Sequence, residues 1–423
     1  MSKQSYAHPV IALGSYFPSL GIVHSLAPRG IECWVCGPDR GLAARSRFVN
    51  YWPIPDPRLD QQGMVDSVLA LVRKIGGRPV IFPTDDQFSV ALAHNRAAFD
   101  EVAIPCIAPV EAVDLVINQG AFCSWGAARS ISCPKSLPAD QNIDAFTFPV
   151  IAKPHNKSML RVAAREMGPG ESPSDLRFTL LKDKRAWKNF QDRYRNNLDH
   201  ILVQEFIPGN TSDMYSVGIY ADQNSQIKGI FVGRKLRGYP AMYGNTKLGQ
   251  NDQVDEAILN EVRQIVQELK YTGIAEFEYR RDAESGTFRL IEINPRAWSW
   301  IAVTAESAAD IPWIAYQDAT GEALEPVIVN ETPGRLKYVA VMSDLTNVLL
   351  RYRWDYPAWV MGLGQWRKSL EADKLVIAEF NRRDWPVTIF CFRALVMNGF
   401  RMIRHKFQKR SGAHSRDDFA NAN

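Results

Sequence analysis

In the first hundred residues, short apolar runs alternate with segments whose apolar residues have helical spacing. Short apolar runs, typical of strands buried on both faces, occur at residues 9–14, 31–36 and 79–83. Apolar residues with helical spacing occur between them, at residues 20–27 and 65–75. Strands that alternate with helices indicate a doubly wound α/β domain with a parallel sheet, which we place at residues 1–115.

The pattern changes in the middle of the chain to strands with few helices between them. Strand-like runs occur at residues 148–154, 201–209, 214–220, 227–232, 273–279 and 287–293. Residues 257–269 have the spacing of an amphipathic helix, whose apolar face is formed by Ile258, Val262, Ile265, Val266 and Leu269. This order is typical of an α+β domain rather than of a continuation of the first sheet.

The last part of the chain, residues 326–423, is basic and aromatic. Residues 386–410 contain six Lys or Arg and no Asp or Glu. On a helix, this segment could lie in an anionic membrane interface, or it could pack on the body of the protein with a solvated basic end. The polar tail at residues 411–423 is predicted to be disordered.

Composition narrows the classes of function. The 423 residues carry a net charge of only +4, with 46% hydrophobic and 23% charged residues, which argues against disorder and against nucleic-acid binding. Six cysteines are too few for a disulfide framework and fit a reducing, cytoplasmic compartment. No apolar run is long enough for a spanning helix. No GxGxxG follows the first strand, which argues against a dinucleotide-binding oxidoreductase.

Acidic and amide side chains occur at alternate positions in two neighbouring predicted strands. Glu276 and Glu278 can face the same side of one strand, and Glu292 and Asn294 the same side of the next. If the two strands pair as a hairpin, these oxygen-bearing side chains converge, and a hard cation such as Mg²⁺ relieves the repulsion between carboxylates. The alternative is a strand pair whose acids face solvent.

Two further strand ends carry polar groups that a phosphate or a substrate could use. Lys153 ends one apolar strand, where a phosphate would be a suitable negative partner, although a solvated strand end is the simpler reading. Asp85 and Asp86 follow a strand of the first sheet, at the edge where ligands often bind. One of these two aspartates could instead cap the next helix.

The sequence resembles the ATP-grasp superfamily of carboxylate–amine or carboxylate–thiol ligases, in the branch similar to D-aspartate ligase and carbamoyl-phosphate synthetase. The resemblance covers about residues 115–325. It rests on four motifs: FPVIAKP at 148–154, VQEFIPG at 203–209, GIAEFEY at 273–279, and EINPR at 292–296. Residues 20–30, 46–48 and 82–86 also resemble the domain that precedes the ATP-grasp core in this superfamily.

The resemblance implies a fold in four parts. It predicts a pre-ATP-grasp Rossmann-like domain at residues 1–115, a first ATP-grasp lobe at 116–200, a second lobe with the metal site at 201–325, and a helical C-terminal extension at 326–423. It also implies a role for each matching side chain. Lys153 would contact the α- and β-phosphates, and Arg296 the γ-phosphate or acyl phosphate. The remaining roles are adenine contacts for Gln204, Glu205 and Ile207, a ribose contact for Asp213, magnesium ligation by Glu278, Glu292 and Asn294, and a phosphate or substrate contact for Arg234 and Lys235.

The implied function is ATP-dependent ligation of a small-molecule carboxylate to an amine through an acyl phosphate, with ATP and two Mg²⁺ ions, for which Mn²⁺ could substitute. Two alternatives stay open: a non-catalytic ATP-binding regulatory protein, and a carboxylase or carbamoyl-phosphate-type enzyme that uses bicarbonate. The glycine- and serine-rich lid of the superfamily is replaced here by HNKSMLR at residues 155–161. We further expect a homodimer in the cytoplasm, with peripheral contact at the inner membrane face through residues 386–410 as a hypothesis.

Overall fold

The computed structural model describes residues 7–144, 146–155, 178–240, 244–322, 324, 334–352 and 360–410, and it describes the side chains of the last helix as far as Met397. The segment that replaces the lid, after His155, and the tail at 411–423 lie outside the described residues. Among the described residues, no helix has the length and apolar character that crossing a bilayer requires.

The first sheet is a five-stranded parallel sheet, as the alternation of strands and helices predicted. Its order is β3-β2-β1-β4-β5, formed by β1 (Val10–Leu13), β2 (Cys33–Gly37), β3 (Val49–Pro53), β4 (Val80–Pro83) and β5 (Ile104–Pro105). The helices of this part are α1 (Phe17–Leu26), α2 (Gln61–Ile75), α3 (Asp86–His94), α4 (Arg96–Asp100), α5 (Val110–Ile117) and α6 (Gln119–Ala127). The strands β3 and β5 were not predicted, because neither is a continuous apolar run.

The second sheet has four antiparallel strands in the order β6-β9-β7-β8. These are β6 (Ser136–Pro138), β7 (Val150–Pro154), β8 (Thr179–Leu181) and β9 (Ile201–Glu205), with α7 (Lys184–Arg193) between the last two. One face holds a small core that includes Val150, Ala152, Val203 and the α7 side chains Trp187 and Phe190. Because side chains alternate along a strand, Lys153 and Gln204 lie on the opposite face, away from this core.

The third sheet has seven strands in the order β14-β13-β10-β11-β12-β15-β16. The strands are β10 (Met214–Ala221), β11 (Ile227–Tyr239), β12 (Asn245–Asn251), β13 (Gly273–Arg281), β14 (Phe288–Asn294), β15 (Leu336–Val339) and β16 (Lys374–Ile377). The helix predicted at 257–269 is α8 (Glu256–Glu268), and its apolar face packs on one face of this sheet, against side chains such as Val217, Phe277 and Ile293.

Two tryptophans cover the other face of the seven-stranded sheet. A Cβ atom at Gly218 would lie 2.1 Å from Trp298 Cη2, and a Cβ at Gly233 would lie 2.3 Å from Trp300 Cη2. A Cβ at a third glycine, Gly249, would lie 2.6 Å from Trp300 Cζ3. The indoles therefore occupy the space of the missing side chains, and they hold the segment after β14 tightly against the sheet.

The C-terminal part extends the third sheet and ends in a long helix. The strands β15 and β16 were not predicted, and β16 pairs in parallel with β15 at the edge of the sheet. The remaining helices are α9 (Ile311–Ala319), α10 (Val341–Thr346), α11 (Leu363–Ser369) and α12 (Trp385–Arg410). The predicted helical end of the chain is thus α12.

Candidate active site

The predicted hairpin of acidic strands is formed, and it brings the expected side chains together. In the pairing of β13 with β14, Glu278 lies opposite Glu292 and Glu276 lies opposite Asn294. The Asn294 amide Nδ2 donates to Glu276 Oε2 at 3.1 Å and to Glu278 Oε1 at 3.2 Å. These four side chains define what we call the acidic face of the third sheet.

Lys235 lies against the acidic face and is almost fully buried, with 5% of its surface exposed. Its Nζ donates to Glu278 Oε2 at 2.7 Å. Burial alone would lower the pKa of Lys235, but the carboxylates of Glu278, Glu276 and Glu292 raise it above its ordinary value. The ammonium is therefore held in its charged form by the acids around it.

Glu276 is the most deeply buried acid of the face, with 4% of its surface exposed. Its Oε1 accepts a hydrogen bond of 2.7 Å from Ser216 Oγ, which is itself completely buried on β10. Burial, together with the neighbouring Glu278, raises the pKa of Glu276 to about 7. The pKa is raised although Lys235 and Ser216 favour the ionised form.

Arg296 links the acidic face to the first sheet. Its Nε donates to Asp86 Oδ1 at 2.7 Å, and its second guanidinium nitrogen donates to Asn294 Oδ1 at 3.0 Å. Burial opposes the charge of Arg296, but Asp86, Asp85 and Glu276 raise its pKa above the ordinary value. The guanidinium of Arg296 therefore stays charged, and it contacts both Asp86 beside the first sheet and Asn294 on β14.

The two aspartates after β4 have different roles. Asp85 is the N-cap of α3, and its Oδ1 accepts from the backbone N–H of Gln87 at 3.0 Å. Asp86 is the first residue of the helix and faces Arg296. The start of α3 is fixed to the end of β14 by a buried hydrogen bond of 2.9 Å from Ser89 Oγ to the carbonyl of Pro295. The N-cap role considered from the sequence is therefore confirmed for Asp85, whereas a ligand contact of Asp86 stays a prediction.

The predicted nucleotide contacts Lys153 and Gln204 share one face of the second sheet, where Ile151 lies opposite Gln204 and Lys153 opposite Leu202. The Gln204 Nε2 donates to Ser136 Oγ at 2.9 Å and lies 3.8 Å from Cys123 Sγ. Ile207, just beyond β9, is buried. This face therefore combines one cation, one amide and apolar surface.

Glu205 and Asp213 lie at the two ends of the turn that follows β9. The Glu205 backbone N–H donates to the Lys135 carbonyl at 2.9 Å, and its carboxylate is 3.9 Å from Arg289 on β14. The Asp213 carboxylate accepts from the backbone N–H of Asn210 at 2.7 Å, which fixes the turn. Asp213 therefore has a structural contact in addition to the ribose contact predicted for it.

Arg234 does not join the acidic face. Arg234 precedes Lys235 on β11 and lies opposite Tyr215 on β10. Its side chain therefore lies on the face of the third sheet on which α8 packs. There its guanidinium stacks 5.5 Å from the Tyr215 ring centroid and contacts the carbonyl of Ser212 and the carboxylate of Asp252. Of the two basic residues predicted at this position, the structure brings only Lys235 to the acids.

Sequence reasoning missed the roles of Ser216 and Gly218 in the site. Ser216 stands in an unremarkable apolar strand, and only its pairing opposite Glu278 shows that it faces the acids. Gly218 pairs opposite Glu276 and leaves room for Trp298. Both residues lie at alternate positions of β10, so the same period-two argument that found the acids could have found them once the strand order was known.

The donor set of the acidic face fits a hard divalent cation. It consists of carboxylate and amide oxygens, and Mg²⁺ binds with one or two protein carboxylates plus substrate phosphates. Within the described ranges, no group of three or more His, Cys, Asp or Glu side chains is placed to hold a metal ion by itself. The Lys235 ammonium pairs with Glu278, and the Asn294 amide donates hydrogen bonds to Glu276 and Glu278.

Comparisons with known proteins agree with this geometry. Residues 197–342 match the family model described as ATP-grasp in the biosynthetic pathway with Ter operon. The chain is 33% identical to the D-aspartate ligase of Enterococcus faecium (strain Aus0004) over an alignment of 306 residues, and the match covers 68% of this chain and 70% of that protein. The chain therefore belongs to the ATP-grasp family of ADP-forming carboxylate–amine ligases.

Two solved structures show the same fold at low sequence identity. The N5-carboxyaminoimidazole synthetase of Staphylococcus aureus, complexed with ADP, has a TM-score of 0.61 at 13% identity, with 84% of this chain and 88% of that chain covered. The L-amino acid ligase of Bacillus licheniformis has a TM-score of 0.53 at 16% identity, with 78% of each chain covered. The predicted family and fold class are thus confirmed.

Proposed function

We propose that the acidic face, with Lys235 and Arg296, is the site at which this ligase forms an acyl phosphate and then an amide bond. The observation that carries this proposal is the register of β13 and β14, which sets Glu278 directly opposite Glu292 beside a buried ammonium group. Such an arrangement is expensive to bury unless it serves a charged ligand, and a nucleotide polyphosphate with its cation is a ligand of this kind.

The reaction has two steps. A carboxylate oxygen of the first substrate attacks the γ-phosphorus of ATP, and the bond from that phosphorus to the β-phosphate oxygen breaks, which gives an acyl phosphate and ADP. The amine nitrogen of the second substrate then attacks the acyl carbon, loses a proton and expels phosphate. The protein contributes chiefly positioning and charge neutralisation. In our proposal Lys153 neutralises the α- and β-phosphates, whereas Arg296 and Lys235 neutralise the transferred group.

The adenosine part of ATP would bind along the second sheet. Gln204 and the backbone after Glu205 offer hydrogen bonds to the adenine edge, Ile207 offers an apolar contact to the ring, and Asp213 offers a carboxylate to the ribose. Arg234 is assigned a lesser part, as a cation at the rim of the turn that carries Asp213, because it contacts the adjacent carbonyl of Ser212.

Glu278, Glu292 and Asn294 would hold the divalent cation. Bound Mg²⁺ supplies Lewis-acid stabilisation of the charge on the transferred phosphoryl group. We propose two Mg²⁺ ions, with Mn²⁺ as a substitute, because the carboxylates and the amide present more oxygen donors than a single ion that also binds phosphates requires. Lys235 must then exchange its contact with Glu278 for one with phosphate.

The name of the Enterococcus faecium relative suggests D-aspartate as the first amino acid to test. The identity of 33% extends over most of both chains, which is enough to make the same substrate class the leading hypothesis. Which of the two reacting groups such an amino acid would supply, the carboxylate or the amine, is left to the assay below.

The domain division, the oligomeric state and the cellular location that we propose are those expected from the sequence. We propose the division into a pre-ATP-grasp domain at 1–115, lobes at 116–200 and 201–325, and an extension from 326. We also propose that the protein works as a homodimer in the cytoplasm, with peripheral contact at the inner membrane face through residues 386–410.

The decisive test is ATP turnover with Mg²⁺, followed as ADP and phosphate release against a panel of D- and L-amino acids, small carboxylates, amines and bicarbonate. We expect release that depends on a carboxylate and an amine and that is abolished in Glu292→Ala. The matched control is Glu284→Ala, an exposed acid in the turn between β13 and β14, which should keep wild-type turnover.

Three results would contradict the proposal. Tight ATP binding without turnover on any panel member would favour the regulatory alternative, and turnover on bicarbonate alone would favour the carboxylase alternative. Equal losses in Glu292→Ala and Glu284→Ala would show that the acidic face is not the catalytic site.

A further inference from the structure

Exposed apolar side chains are concentrated at one end of the described chain. Of the twelve large hydrophobic residues that are exposed among the described residues, ten lie between positions 360 and 397. They are Val360, Leu363, Leu375, Phe380, Trp385, Ile389, Phe392, Leu395, Val396 and Met397. Scattered single apolar residues are normal on protein surfaces, whereas a concentration of this kind marks an interaction site.

Four of these side chains form a continuous stripe along α12, which we call the apolar stripe. Trp385, Ile389, Phe392 and Val396 are 58%, 43%, 61% and 41% exposed. At about 100° of rotation per residue, the four positions fall within about 60° of one another on the helix. The sequence repeats the same spacing further along the helix, at positions 400, 403 and 407, which are Phe, Ile and Phe.

The opposite side of α12 attaches the helix to the body of the protein. Val387 and Cys391 are buried there in the core that also contains Trp298 and Trp300. The Arg45 guanidinium lies 5.1 Å from the ring centroid of Phe390, and Thr388 Oγ1 donates to the Glu379 carbonyl at 2.9 Å. The apolar stripe is therefore presented outward by a helix that is held on its other side.

The charge around the apolar stripe has one sign. The 26 residues of α12 include six Lys or Arg and no Asp or Glu. Arg382 and Arg383, just before the helix, are exposed, as is Arg393 within it. The nearest acid, Asp384, is fully buried, where it accepts hydrogen bonds from the backbone N–H of Arg47 and pairs with His24 at 2.9 Å. No acid close to the stripe in sequence thus offsets its positive rim.

We propose that α12 binds to the surface of a membrane that contains anionic lipids, with the apolar stripe in the interface and the exposed cations Arg382, Arg383 and Arg393 at the headgroups. An apolar face flanked by cations has the chemistry of an interfacial helix. A second copy of the chain is a poorer partner, because two α12 helices would bring their positive rims together. Membrane binding of this surface does not depend on the ligase reaction.

The test is co-sedimentation of the purified full chain with vesicles of phosphatidylcholine, with and without phosphatidylglycerol. We expect binding to the anionic vesicles that weakens as salt is raised, because the headgroup attraction is screened. The variant Ile389→Ser/Phe392→Ser should lose roughly tenfold or more of this binding, because two apolar side chains no longer enter the interface.

The matched control is Leu59→Ser, which removes an apolar side chain that is 73% exposed but lies far from α12 in the chain. It should bind vesicles as the wild type does, and unchanged thermal unfolding of both variants would show that the fold is intact. Absence of wild-type binding to anionic vesicles would overturn the proposal, as would equal binding by the double variant. A concentration-dependent dimer that disappears only in the double variant would assign the stripe to a second copy instead.

Discussion

Asp86 and Arg296 are 210 positions apart in the chain, and their side chains meet at 2.7 Å in an ion pair between the first sheet and the end of β14. Each side chain is only 17% exposed, so the pair is weakly screened by solvent. Arg296 also donates to Asn294 on β14. Its position therefore depends on Asp86 beside the first sheet and on Asn294 in the third sheet. The helix that follows β4 of the first sheet therefore takes part in positioning the guanidinium that we assign to phosphoryl transfer.

We expect Asp86→Asn to reduce ATP turnover by about tenfold to a hundredfold, because a neutral partner no longer fixes the orientation of Arg296. The measurement is steady-state ADP release at saturating ATP. Asp85→Asn is the matched control, since asparagine caps a helix as well as aspartate does, and this variant should keep its turnover. If both variants were equally active, Asp86 would have no positioning role.

Lys235→Met should make the stability of the protein depend on magnesium. Removing the cation leaves the buried Glu276 and the half-buried Glu278 without their neighbouring ammonium group, which we expect to lower the free energy of unfolding by about 3 kcal/mol in metal-free buffer. Added Mg²⁺ should restore part of this loss, because the ion can take the place of the ammonium group. Thermal unfolding with chelator and with Mg²⁺ measures the difference.

The control for this experiment is Lys228→Met, on the same strand. Lys228 pairs with Asp222 at 3.3 Å at the other end of β11, away from the acidic face. The thermal unfolding of the Lys228→Met protein should respond to Mg²⁺ no more than that of the wild type does. A Lys235→Met protein that ignores Mg²⁺ would argue against a cation site at Glu278.

Glu276 should make the metal-free protein less stable as the pH rises from about 5 to 7. Its pKa is raised to about 7 in the folded state from an ordinary value of 4.5, so in this window the folded state holds a proton that the unfolded state has released. The stability that this proton contributes is fully present below the pKa of Glu276 in the unfolded state. It is lost as the pH rises through the pKa of Glu276 in the folded state.

Glu276→Gln removes this titration. We expect the variant to be more stable than the wild type above pH 7, by up to about 3 kcal/mol, and to lose this advantage near pH 4. Chemical denaturation in chelator across this pH range measures the effect. A constant difference between the two proteins at every pH would show that Glu276 does not titrate there.

The period-two pattern of the strands placed Glu276 with Glu278 and Glu292 with Asn294, because the faces of a strand follow from alternation once its centre is located. It left open whether the two pairs converge or face solvent, and the choice of Glu278, Glu292 and Asn294 as metal ligands came from the family resemblance. It could not separate Arg234 from Lys235, since the choice of face requires the register against β10. For Asp85 and Asp86 the sequence left the cap and the ligand contact open, and only the structure shows that Asp85 caps α3 and that Asp86 pairs with Arg296.

Elements with weak patterns escaped prediction for a physical reason. The edge strand β3 has no fully buried residue, and β5 has only two residues, so neither has the apolar run that identifies a buried strand. The strands β15 and β16 are short and separated by helices, and their place in the third sheet follows from long-range pairing that local sequence does not encode.

Gly218→Ala should destabilise the protein by about 3 kcal/mol, because the new methyl group meets the ring of Trp298, which is fully buried. Gly364→Ala is the control, since no atom lies within 4 Å of the Cβ that it would add in α11, and this change should be neutral or raise stability by about 0.5 kcal/mol. Urea unfolding of the two variants measures the contrast. Similar stabilities would show that the indole can move aside.

The packing of α1 against residues far along the chain has a consequence for biosynthesis. Leu20 and Val23 share a core with Trp300, Ile301 and Tyr316, and Gly21 lies so close to Ile301 that a Cβ there would be 2.8 Å from Ile301 Cγ2. While the ribosome is still making the middle of the chain, the face of α1 that will meet these later residues has no cover. The nascent protein must therefore keep this apolar surface from aggregating until some three hundred residues have emerged.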